Sequence, residues 1–174
     1  ERPTAVSVIK AKANAEDLNY NDATEEQKNE MWTFSHEATE QTEALTDYRY
    51  IGSNPNNYVI FNDELWRIIG VFTVDDGTGK KEERLKIIRE EPIGNYSWDN
   101  KNVDTGAENA YGKNKWIEAR INYLLNSEHE SENIGGSLYW NSGSGMCYYG
   151  QNNGTISCDF TTIGLDIEPR NMIG

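Results

Sequence analysis

Leu65-Trp66-Arg67-Ile68-Ile69-Gly70-Val71-Phe72 is the most strand-like stretch of this chain. Its β-branched and aromatic residues are apolar on both alternating positions, as in a central strand covered on both faces. Gly70 inside it marks a bulge or a point where a ring packs close to the backbone. Three similar runs lie around it: Tyr48-Arg49-Tyr50-Ile51, Tyr58-Val59-Ile60-Phe61 and Leu85-Lys86-Ile87-Ile88. Ser53-Asn54-Pro55-Asn56-Asn57 is a dense turn signal that should join the first two as a hairpin. Asn62-Asp63-Glu64 makes the next tight connection, and Asp75 to Glu83 forms a long hairpin tip. That tip misses the ligand spacing of an EF-hand loop and reads as a plain turn. The set predicts a four-stranded antiparallel meander from Tyr48 to Arg89.

Outward from the meander, Asn114 caps the strongest helical pattern. Ile117, Ile121, Leu124 and Leu125 recur at helical spacing on one face, which predicts a helix over Lys115 to Leu125 lying across the sheet. Asp22 to Trp32 has a capping residue, early acids and apolar residues at its end, and predicts a short surface helix docked through Met31, Trp32 and Phe34. Arg2 to Asn14 alternates weakly, as an edge strand or extended arm would. Ser35 to Thr46 reads as a solvated connection, with His36 as surface decoration. The expected organisation is an N-terminal arm and short helix over residues 1–46, then one α+β domain over 47–174 with a loop-rich C-terminal third.

Composition narrows the class of partner. Twenty-nine acidic against sixteen basic residues give a formal charge of -13, which repels phosphate backbones and anionic lipid, so neither nucleic acid nor a membrane surface is expected as partner. No apolar run is long enough to span a bilayer. The first residue is Glu1, which suggests a removed leader. Cys147 and Cys158 are the two cysteines; close together, with no histidine nearby, they read as one disulfide in an oxidising compartment and not as a metal site. No cofactor is expected.

Tyr50 to Val59, Leu65 to Phe72, Leu85 to Ile88 and the Trp116-led helix ending Leu124-Leu125-Asn126 resemble a domain of secreted and surface proteins of Gram-positive gut bacteria. The resemblance covers most of the chain after Trp32. It is also similar to a wider family whose fold approaches the C-type-lectin-like and formylglycine-generating-enzyme group. It implies a further closing strand after Gly174, and hence a sheet with an unfilled edge.

Function is expected to be that of a secreted or cell-surface, non-enzymatic binding or adhesion module for a glycan or protein. Trp98, Asp99, Asn100, Tyr139, Trp140, Tyr148 and Tyr149 sit in polar loops, where planar rings beside amides and acids offer an apolar face with directional hydrogen bonds. Trp98-Asp99-Asn100 and Glu168-Pro169-Arg170-Asn171 echo lectin calcium motifs in reversed order, and no calcium site is expected from them. The alternatives are a structural domain completed by a further segment or partner chain, and a glycan hydrolase using two carboxylates.

Overall fold

The structure, a computed structural model, describes residues 2–15, 17–100, 112–151 and 153–174. Its contacts fall into two compact units, Glu1–Glu91 and Pro92–Gly174. The division therefore lies at Glu91, not at residue 46, because a strand before Asp47 joins the first unit's sheet. Helices are short and every named strand pair is antiparallel, an α+β arrangement.

In the first unit the strands are β1 (Met31–His36), β2 (Leu45–Tyr50), β3 (Tyr58–Phe61), β4 (Glu64–Asp75) and β5 (Lys81–Arg89). All four predicted runs are strands, but they do not form a simple meander. β2 pairs with β4, not with β3. β4 is twelve residues long and β3 only four, so one edge of β4 takes β3 along its first half and β2 beyond it. β5 occupies the whole opposite edge. The Ser53 to Asn57 turn thus carries the chain along β4 instead of closing a hairpin.

The bulge forecast at Gly70 is present, with the β4–β5 register shifting between Ile68 and Gly70. Ile68 faces Ile87 and Val71 faces Leu85. Leu85 and Ile87 are two apart and share a face; their partners are three apart and share it because the bulge absorbs one residue. Ile68 and Val71 are both buried, at 3% and 1% exposure. A Cβ on Gly70 would lie 2.1 Å from the Tyr48 carbonyl oxygen and 3.1 Å from Phe72 Cε2, so both predicted reasons for this glycine hold.

The N-terminal region differs from expectation. Residues Ala5–Lys10 form helix α1, capped by Thr4, whose side chain accepts from the Ser7 N–H. Asp22 to Trp32 is not one helix. Thr24 and Gln27 make reciprocal capping bonds of 2.9 and 3.1 Å, yet only a 3₁₀ turn, Gln27–Asn29, follows. Met31 and Trp32 instead enter β1, where pairing with Tyr50 and Arg49 satisfies their backbones and both side chains are buried. The β1–β2 connection is closed by Thr39 and Thr42, and His36 is exposed.

The second unit contains a 3₁₀ turn (Trp116–Glu118), helix α2 (Arg120–Leu125), the hairpin of β6 (Ser144–Tyr148) and β7 (Thr155–Asp159), and the single turn α3 (Ile167–Arg170). The predicted helix over Lys115 to Leu125 is broken at Ala119, which is extended. Its predicted apolar stripe is also displaced: Ile117 is 75% exposed, while Ala119, Arg120, Asn122 and Leu124 are buried. The backbone partners of α2 lie within this unit, where Tyr123 and Leu124 carbonyls accept the Ser137 and Tyr139 N–H groups. Phe160, fully buried, collects the rings of Tyr96 and Tyr139 as its core. The loop expected between Asn100 and Lys113 lies mostly outside the described residues, as does Asn152 of the expected Asn152-Asn153-Gly154 turn.

Candidate functional site

The predicted recognition residues all belong to the second unit, but burial separates them. Tyr139 is a core ring, 6% exposed and edge-on to Phe160. Asp99 and Asn100 are buried, and Trp140 and Tyr148 are half-buried. Trp98 and Tyr149 remain open to solvent, at 48% and 47%. One continuous set of loop aromatics is therefore not what the chain builds.

It builds a layered cluster. The Trp98 carbonyl accepts the Ile121 N–H at 3.0 Å, and Asp99 Oδ2 accepts the Lys113 N–H at 2.6 Å. These bonds hold the Trp98-Asp99 segment against the entrance of α2. Beneath it, Asp99 Oδ1 lies 3.6 Å from Arg120 Nε, with both side chains almost fully buried. The Arg120 guanidinium carbon sits 3.5 Å from the centroid of the Tyr148 ring, a cation–π contact made by a buried cation. Tyr148 follows Cys147, and Cys147 is bonded to Cys158 across β6 and β7, as the spacing predicted. Disulfide, Tyr148, Arg120, Asp99 and Trp98 thus form one chain of contacts from core to surface.

At the surface end Trp98 meets Trp116. Their centroids are 5.5 Å apart at a tilt of 49°, and each ring keeps nearly half its area in solvent. Beside them Glu118 pairs with Lys113 at 2.5 Å and Lys115 at 3.4 Å. Hydrogen bonding from Lys113 holds the Glu118 carboxyl below its ordinary range. A small pocket lined by Tyr96, Arg120, Ile134 and Tyr148 has room for about one water molecule.

Sequence reasoning missed Trp116 and Arg120. Helical spacing over Lys115 to Leu125 makes Trp116 the head of an amphipathic helix and does not include Arg120 in its apolar stripe. No local signal marks them: Ala119 is a strong helix former by residue type, yet it is extended in the fold.

Among the described residues, Ser137 and His129 do not assemble into a nucleophile–base pair. Ser137 has a positive φ of 53°, the kind of strain seen at some nucleophiles. Its Oγ, however, is fully buried, donates to the Asn126 carbonyl at 2.6 Å and accepts the His129 backbone N–H at 3.1 Å. The His129 ring instead stacks on Tyr123. Among the described residues, the carboxylates whose pKa clearly moves are shifted downward: Glu43, Asp76, Glu90, Glu118, Glu130 and Asp159. Among the described residues, no group of three or more histidine, cysteine or acidic side chains is placed to hold a metal ion, and no helix is long and apolar enough to cross a membrane. Comparison with protein-family models, with curated proteins and with solved structures finds no match for this chain.

Proposed function

We propose that this chain is a secreted or cell-surface, non-enzymatic binding module, with its recognition surface in the second unit at Trp98 and Trp116. The observation that carries this reading is the pair of adjacent, half-exposed tryptophan rings mounted on a buried ion pair. Large rings left in water cost hydrophobic free energy, and rigid support beneath them limits the entropy lost when a ligand is held. The disulfide fits a non-cytoplasmic protein. By the same reading the chain belongs with the secreted domains of Gram-positive gut bacteria that it resembles, with the C-type-lectin-like group as a more distant fold relative. The test is binding of the oxidised chain to paired glycan and extracellular-protein arrays. Signal lost in W98A and W116A supports the reading; no signal, or signal unchanged in both variants, overturns it.

A second reading has its own observation. β5 has no strand on its outer edge among the described residues, and one face of the β3–β4–β5 region leaves Ile60, Leu65 and Ile88 at 67%, 44% and 54% exposure. A structural domain completed by a further strand would use such an edge and face. Light scattering after size-exclusion chromatography separates the two: a monomer across a wide concentration range argues against self-assembly.

A further inference from the structure

We infer that the Trp98–Trp116 surface takes a neutral sugar unit of a glycan chain, the apolar face of a pyranose ring lying on indole. This deepens the binding-module reading above and rests on it.

Three features of this surface select that ligand class. The first is openness. The rings stand half in solvent, and the small pocket of this unit, which holds about one water, is lined by other residues. A compact small molecule is enclosed over most of its surface by its site. An open platform suits one unit of a polymer that runs past on both sides.

The second is charge. Among the described residues the two lysines beside the rings share the single carboxylate of Glu118, which leaves one local positive charge tied into an ion-pair cluster, against -13 on the chain as a whole. An anionic polymer would gain at most that one local charge against the repulsion of the whole chain. A neutral sugar meets none, and the Lys113–Glu118–Lys115 group still offers donors and an acceptor for its hydroxyl rim.

The third is area. Half the surface of two such rings is roughly 200 Å², against about 800 Å² per side in a stable protein interface. Ile117, 75% exposed, adds too little to close that gap. A stacked sugar needs only the ring faces.

The experiment is affinity electrophoresis of the oxidised chain through gels holding hydroxyethyl cellulose, xylan, galactomannan or glycol chitin, with polygalacturonate as the anionic arm. Expected is retardation by at least one neutral polymer and none by polygalacturonate. Affinity should fall at least tenfold in W98A and in W116A, and by less in W98F and W116F, with near-UV circular dichroism and melting temperature retained. Retardation by polygalacturonate alone, or by none of the five polymers, overturns the inference. So does retardation that the Trp variants leave unchanged. The binding-module reading fails separately: if the arrays reveal a protein ligand lost in W98A and W116A, the surface binds but its ligand is not a glycan. If arrays and gels are both silent, both readings fall.

Discussion

Asn57 holds both backbone polar groups of Ile68: its carbonyl accepts the Ile68 N–H at 2.8 Å and its side-chain amide donates to the Ile68 carbonyl at 2.7 Å. Here β3 has not begun and β2 has already ended, so a buried stretch of β4 lacks a strand partner on that edge. Asn57, itself buried, supplies the pairing. N57A leaves the Ile68 carbonyl unsatisfied and should cost about 1–3 kcal/mol. Urea denaturation followed by far-UV circular dichroism measures it, and an unchanged midpoint would remove this role.

Gly70 is irreplaceable for a different reason. A methyl group there would collide with the Tyr48 carbonyl across the β2–β4 pairing, and that backbone is held on its other edge by β1. G70A should destabilise by more than about 2 kcal/mol, through forced separation of β2 from β4. Hydrogen exchange should show lost protection in Tyr48 and Arg49 before β5.

These two residues also show what the sequence could and could not say. Residue type and turn signals located all four predicted runs, since β-branched and aromatic composition is a local property. Partner choice is not local. Whether β2 lies beside β3 or β4 depends on the length of β4, and its apolar residues on both parities were read as two covered faces when the Ile69 bulge had switched parity within one. At the site, the Cys147–Cys158 bridge was legible from spacing. Arg120 was not, because its burial follows from meeting Asp99 and Tyr148, which lie 21 and 28 positions away in sequence.

The disulfide ties β6 to β7 through two cysteines eleven positions apart in sequence. In the chain-entropy account such a loop stabilises by about 3 kcal/mol. The C147A/C158A double variant should therefore lose about that much in the second unit, and more if the fully packed Cys147 leaves a void. Tryptophan fluorescence from Trp98 and Trp116 should soften in parallel, because Tyr148 adjoins the bridge and carries Arg120.

Acid should weaken the first unit through Glu90. Its carboxylate accepts hydrogen bonds from Arg67, which also donates to the Tyr58 hydroxyl and lies over that ring. The Arg67 hydrogen bond lowers the Glu90 pKa in the fold. A depressed folded value means that this stabilisation is complete above the unfolded carboxylate pKa and is lost as pH falls through the folded one. E90Q should therefore melt at a lower temperature than the parent at neutral pH, and the difference should shrink on acidification. A gap that is constant with pH would contradict the assignment.

Arg120 and Asp99 make the sharpest prediction about the second unit. Two buried opposite charges compensate each other, and removing one leaves the other in a medium that solvates it poorly. R120M should cost about 3–5 kcal/mol in urea unfolding of this unit, and D99N a comparable amount. The D99N/R120M pair should recover part of the loss, since no lone charge remains. R120K retains the charge but loses the planar stacking on Tyr148 and the guanidinium fork, so it should fall between parent and R120M. If R120M and D99N add without coupling, the two side chains do not act as a pair, and the support assigned to the Trp98 surface goes with them.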